Sequence, residues 1–304
     1  MSQAASFEVL ARYVPELVVR RLASAALPLT LPALDEFPAA VLFADISGFT
    51  ALTERLSGAG PAGAEELTRI VNSYFSKLIE VITAHGGDVV KFAGDALIAV
   101  WRPGDPDDTA PILAQRATQC AVLVQTVLTQ TQVGKSSPLS LKICVGVGDM
   151  RFMHLGGERG RCELLLAGEP LADLGAAGAL TTPGQVVLTP SAGAALRAVT
   201  KGETLAGGFF RVTALSGTLP IKKLPQTPGA PGLAEALTAY VPAAVRTRLE
   251  AGQTEWLAEL RPLSVLFVNL PDLTFRTPLA RAQQAMVELQ RTLAPGLTLD
   301  RALG

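Results

Sequence analysis

Histidine, cysteine and aromatic side chains are scarce in this 304-residue chain, which holds two histidines, three cysteines and 5% aromatic residues. His85 and His154 stand alone, neither in a metal-ligand spacing, which excludes a histidine-based metal framework. His85 precedes a glycine where a helix is expected to end and can meet its last carbonyls, and His154 falls in a turn-rich stretch. Cys120, Cys144 and Cys162 are odd in number and form no CxxC pair, so they read as small buried hydrophobes in a reducing compartment. Charge of one sign is lacking too. With 26 basic against 27 acidic residues, and no run of Lys or Arg longer than two, nucleic acid is excluded as a bulk electrostatic partner. The longest uncharged stretches, residues 117–134 and 174–196, are broken by Gln and Thr or by Gly and Pro, so no membrane span is expected. No secretory signal opens the chain, and a cytoplasmic protein is expected. What is abundant is apolar: 49% hydrophobic against 17% charged residues excludes a disordered chain.

Part of the chain repeats. Leu10-Ala-Arg-Tyr-Val-Pro-Glu-Leu-Val-Val-Arg-Arg-Leu22 is answered by Leu237-Thr-Ala-Tyr-Val-Pro-Ala-Ala-Val-Arg-Thr-Arg-Leu249, an offset of 227 from Tyr13 to Tyr240. A strand-like run follows each copy, Ala40-Val-Leu-Phe-Ala-Asp-Ile46 and Ser264-Val-Leu-Phe-Val-Asn-Leu270, at an offset of 224. Two matches at nearly one period predict a duplicated unit. The reading divides the chain into an N-terminal helical segment (1–34), a complete domain (35–221), a Pro/Gly-rich linker (222–232) and the incomplete start of a second copy (233–304).

Within the first unit, Phe7 to Leu22 recur at helical spacing, with Pro15 restarting a helix after a bend. Val41 to Ala44 reads as a strand, Leu67 to Ile82 as a helix stopped by Gly86-Gly87, and Val89–Phe92 with Leu97–Trp101 as a hairpin turning at Ala93-Gly94-Asp95. A second helix over Ile112–Leu128 and strands over Leu139–Val147, Glu163–Leu166 and Val186–Leu188 follow. The order β-α-β-β-α-β predicts an α+β fold, a ferredoxin-like sandwich.

Chemistry is expected where strand ends meet turns. Asp45 closes the first strand and Asp95 sits at the hairpin tip, so adjacent strands would bring two carboxylates together. Such a pair repels unless a cation lies between, and oxygen donors leaving room for water and phosphate suit Mg2+. Ser47, Gly48, Phe49 and Thr50 open into a helix whose amides offer a phosphate site. An aspartate after a strand also serves as an ordinary turn cap.

Asp45-Ile-Ser-Gly-Phe-Thr50 together with Gly86-Gly-Asp-Val-Val-Lys-Phe-Ala-Gly-Asp-Ala96 resembles the catalytic domain of class III nucleotidyl cyclases, and within them the first domain of the tandem bicarbonate-responsive soluble adenylyl cyclases. The resemblance covers about residues 35–215, and residues 240–270 look like the opening of the second domain. It implies that Asp45, Asp95 and the Ile46 carbonyl hold two Mg2+ (or Mn2+) ions, and that ATP, with GTP not excluded, is cyclised with loss of pyrophosphate. It also implies a complementary second cyclase domain, in cis or trans, that supplies the purine and transition-state residues. At the family's transition-state Asn and Arg positions this chain has Ala172 and Ala176, so by itself it is expected to be inactive. Lys91 matches a possible regulatory pocket, but Gly175 stands where the accompanying Arg is expected, and Leu165 where a purine contact would lie. Asn269 replaces the metal aspartate in the second copy. The alternative is a catalytically inert pseudo-cyclase module that binds Mg-nucleotide or a small anion for regulation. Arg151, Arg159 and Arg161 are expected to form a solvated basic loop.

Overall fold

The computed structural model describes residues 6–25, 27–130, 139–252 and 273–292. Two short helices, α1 (Phe7–Leu10) and α2 (Glu16–Ser24), lead into strand β1 (Ala33–Ser47), then α3 (Phe49–Ser57) and α4 (Gly60–Ala84). Strands β2 (Asp88–Ala93) and β3 (Ala96–Trp101) form a hairpin, followed by α5 (Ala110–Gln130), β4 (Ser140–Gly156) and β5 (Cys162–Gly168). Helix α6 (Glu169–Leu180), β6 (Val186–Leu188), α7 (Pro190–Ala195), β7 (Thr200–Thr204) and β8 (Phe210–Leu215) complete the domain, and α8 (Leu233–Thr238), α9 (Ala243–Glu250) and α10 (Leu279–Thr292) pack on it. No helix among the described residues is long and apolar enough to cross a membrane.

The sheet runs β2-β3-β1-β4-β6-β8-β7, with β5 paired to the far half of β4. Its first four strands and α4 and α5 make the expected ferredoxin-like α+β core. β1 extends eight residues further toward the N-terminus than its apolar run, from Ala33. Pro38 and the acidic pair Asp35 and Glu36 hide that half from an apolar pattern. Pro38 is tolerated because residues 33–39 pair with β4 only, leaving the other edge free of a partner that would need its N–H.

Alternation divides β1 between two cores. Leu42, Ala44 and Ile46 face α4 and α5 with Leu97, Trp101, Leu141 and Ile143, while Val41 and Cys144 face α2, α6 and α8. On α4, Leu67, Ile70, Leu78 and Ile82 each hide nearly all of their side chain, worth about 1.5–3 kcal/mol apiece. The helix ends as anticipated: His85 Nδ1 lies 2.7 Å from the Val81 carbonyl, and Gly86 takes φ +86°. Gly87 is required by close approach, since a Cβ there would lie 2.6 Å from the Trp101 ring, whose Nε1 donates to the His85 carbonyl at 2.8 Å.

Residues 216–232, the linker and the stretch leading into it, carry no helix or strand but are strapped to the domain. Gln115 Nε2 donates to the Gly217 carbonyl at 2.7 Å, Leu219 N donates to Gln119, Leu224 N donates to Thr83, and Lys222 reaches Asp105 and Asp108 at 2.6 and 2.7 Å. The two copies of the Tyr-Val-Pro motif adopt one geometry, Pro15 at φ −55°, ψ 142° capping α2 and Pro242 at φ −55°, ψ 143° capping α9. The second copy's strand, residues 264–270, and Asn269 lie outside the described residues.

Two expectations need correcting. His154 is on β4, fully buried, with Nδ1 2.9 Å from the Tyr240 hydroxyl and Nε2 3.5 Å from Asp35. Lengthening of β4 past the apolar stretch converts the supposed turn into strand. Arg151 likewise leaves the basic loop: it lies on β4, 2.7 Å from Glu36, and donates to the Phe275 and Thr277 carbonyls, while Arg161 stays in the β4–β5 turn and pairs there with Glu163 at 2.9 Å.

Candidate active site

β1 ends in a sequence that cannot continue as strand. Gly48 takes φ +90°, a left-handed conformation that glycine adopts without penalty, and α3 begins at once with Phe49. No side chain caps α3, and only from Leu52 does an amide return to the Gly48 carbonyl, so the first-turn amides of Phe49 and Thr50 are left for another acceptor. The side of Gly48 where a Cβ would project is open, with nothing within 4 Å. Ser47 closes β1 opposite Ser140, and its buried Oγ has no hydrogen-bond partner among the described residues.

The β2–β3 turn is Gly94-Asp95, with Gly94 at φ +63° as a two-residue hairpin requires. Asp45 is registered against Ala96 of β3, and the amide of Ile46 donates to the Asp95 carbonyl at 3.4 Å. Strand register thus sets Asp95 beside Asp45 although fifty positions separate them in sequence. Partial burial raises the Asp45 carboxyl above its usual range, the Asp95 charge adds to that, and Lys142, directly across on β4, partly opposes it. Sequence reading missed Lys142 because only the β1–β4 register places it there.

The donor set is lean. Among the described residues no group of three or more His, Cys, Asp or Glu could hold a metal ion. Two carboxylates that repel one another, next to uncommitted amides, fit hard divalent cations whose remaining positions are filled by water and phosphate oxygens.

The other expected positions fall elsewhere on the domain. Lys91, registered with Ile98, shares the sheet face of Asp45 but lies on the edge strand β2 and is half-buried. Ala172, Gly175 and Ala176 form the exposed side of α6, and a side chain at Gly175 would project into open space. Leu165 is covered by α10, packed with Ala282 and Met286. None of the cysteines is a nucleophile in reserve: Cys120 and Cys144 are buried, and burial pushes Cys120, Cys144 and Cys162 up to about 12, 11 and 11.

Residues 35–200, more than half of the chain, match the model of the adenylate and guanylate cyclase catalytic domain. The chain belongs to that family. Adenylate cyclase type 10 of Oryctolagus cuniculus is 32% identical over 162 residues, which is 53% of this chain and 10% of that protein. An adenylate cyclase of Mycobacterium tuberculosis (strain ATCC 25618 / H37Rv) is 30% identical over 154 residues, 50% of this chain and 32% of that protein. Both relatives are thus much longer than the region this cyclase domain spans. Among solved structures, a bacterial light-regulated adenylyl cyclase aligns with TM-score 0.52 and 20% identity, covering 82% of this chain and 65% of that one. The guanylyl cyclase domain of the RhoGC fusion protein of Blastocladiella emersonii, as a double mutant, aligns with TM-score 0.50 and 18% identity over 60% of this chain and 99% of that one. At these identities the structures establish the fold of this cyclase domain.

Proposed function

We propose that this chain is the metal-binding half of a tandem nucleotidyl cyclase that converts ATP to cyclic AMP and pyrophosphate. The observation that carries the reading is the register-enforced pairing of Asp45 with Asp95 beside the uncapped start of α3. Asp45, Asp95 and the Ile46 carbonyl are the groups that would hold two Mg2+ or Mn2+ ions. Bound there, such ions would acidify the ribose 3′-hydroxyl and offset charge on the reacting phosphate. The chain's own part is positional. Gly48 lets the backbone come close to a polyphosphate, the Phe49 and Thr50 amides donate to it, and Ser47 Oγ offers a further hydrogen bond. Lys142 opposes the rise that burial and the Asp95 charge impose on the Asp45 carboxyl.

The complementary half is missing from this surface. Ala172 and Ala176 present methyl groups where charge on the transition state needs donors, so a partner domain, in cis or trans, is required for turnover. The matching caps at Pro15 and Pro242 support a tandem arrangement in which residues 233–304 begin that partner. The test combines this chain with a complete cyclase domain that carries the purine and transition-state residues. Cyclic AMP formation should fall roughly a hundredfold or more in Asp45→Ala or Asp95→Ala; activity that survives either change refutes the assignment.

The bare α6 surface also favours a second reading, a regulatory pseudo-cyclase that binds Mg-nucleotide without turnover. Calorimetry with ATP and Mg2+ separates the two. Binding without any product in the complemented assay selects the second.

A further inference from the structure

A cavity of about 410 Å3 opens between α2, the beginning of β1 and the end of β3, lined by Leu17, Arg20 and Arg21 on one side and by Asp35, Phe37 and Arg102 on the other. It lies at the far end of β1 from the aspartate pair: ten residues of strand, about 33 Å, separate Asp35 from Asp45. Nothing in the proposed cyclase chemistry uses it.

Its charges do not balance. Glu36, at the rim, is taken by Arg151 at 2.7 Å. Asp35 is shared between Arg21 and His154, each 3.5 Å away. The Arg21 Nε is buried and has no hydrogen-bond partner among the described residues. Among the described residues no carboxylate lies within ion-pair distance of Arg20 or Arg102. The acids behind Arg102 are committed elsewhere: Asp88 accepts from the amides of Glu16 and Leu17 at 3.0 and 2.7 Å, and Glu16 accepts from the Thr227 amide at 2.6 Å. Burial holds the Arg102 guanidinium below its usual range, and the charge of Arg20 lowers it further, against the pull of Asp88 and Glu16. Two cations that repel across a hollow are stabilised by an anion between them.

We propose that this cavity binds the phosphate group of a small phosphate ester, with Arg20 and Arg102 as charge partners. A single carboxylate would offset one guanidinium; a phosphate carrying close to two charges offsets both, and arginine forks match its oxygens. Leu17, Phe37, Leu34 and Pro103 give the cavity apolar walls for the organic part of the ester, and its volume suits a small ligand.

Calorimetry of the full chain with β-glycerol phosphate and with inorganic phosphate, in EDTA so that no divalent cation recruits phosphate to Asp45 and Asp95, tests this directly. The ester should bind more tightly than inorganic phosphate. Arg20→Gln, at an exposed position that leaves the fold intact, and Arg102→Gln should each weaken it by about tenfold or more, while Asp45→Asn leaves the affinity unchanged. No heat at millimolar ester, affinity unaltered in Arg20→Gln, or loss of binding in Asp45→Asn overturns the proposal, and equal affinity for the two probes overturns the assignment to an ester.

Discussion

At Asp45, burial and the charge of Asp95 favour the protonated acid while Lys142 favours the carboxylate. Because the carboxyl is raised in the folded state, the native chain holds this proton more tightly than the unfolded chain does. The linked stability is present at low pH and is lost as pH rises from the unfolded value through the folded one. At neutral pH an ionised Asp45 therefore works against folding, and Asp45→Asn should raise the melting temperature in metal-free buffer, by about 1–2 °C for a group this exposed. Adding Mg2+ should raise the melting temperature of the wild type and leave that of Asp45→Asn where it was. Thermal unfolding with and without Mg2+ reads both, and an equal response in the two proteins refutes the metal assignment. Asp45, Asp95 and Gly48 were legible in sequence because each sits where a short apolar run meets a turn signal. Lys142 and the stranded Ser47 hydroxyl were not, since both depend on which residue of β4 faces which residue of β1.

Among the elements, Asp88 shows how a residue in a recognisable motif acquires a different task. It follows Gly86-Gly87 and opens β2, where its carboxylate accepts from the first amides of α2 and so pins the N-terminal helix to the sheet. Asp88→Ala would leave the amides of Glu16 and Leu17 buried without acceptors, a loss of about 1–3 kcal/mol. Denaturant unfolding should show it. Burial, with the charge of Glu16, outweighs those two bonds and raises the Asp88 carboxyl to about 7. Its folded value is raised, so the wild type should lose stability relative to Asp88→Asn as pH climbs from about 4 to about 7, and a wild type that gains on the variant over that range would show that the amide bonds dominate. The helices and inner strands of this core were legible from apolar periodicity. The first half of β1, the second half of β4 and the β7–β8 hairpin were not: the first carries Pro38 and acids, and the hairpin exposes most of β7, from Lys201 to Thr204, so no buried face marks it.

For the molecule as a whole, α8, α9 and α10 serve the cyclase domain on which they pack. The strap over α4 and α5 delivers α8 to the second sheet face, where Leu233, Leu237 and Val241 join Leu10, Val14 and Leu17 in one core. Tyr240 holds His154, the Ala239 carbonyl accepts from the amide of Cys162, and α10 covers Met153, Leu155, Leu165 and Ala167 while Gln283 exchanges two hydrogen bonds with Gly156. These elements finish the surface of the cyclase domain. A chain shortened to residues 1–232 would uncover all of these contacts, with about 1.5–3 kcal/mol lost for each large apolar side chain removed from the shared core. The expected outcome is a lower melting temperature, increased binding of a hydrophobic dye and self-association at concentrations where the 304-residue chain stays dispersed, because apolar patches of this kind seek a partner. Sedimentation and dye fluorescence on the two lengths decide it. A shortened chain as stable and as dispersed as the longer one would mean that α8, α9 and α10 rest on the domain without supporting it.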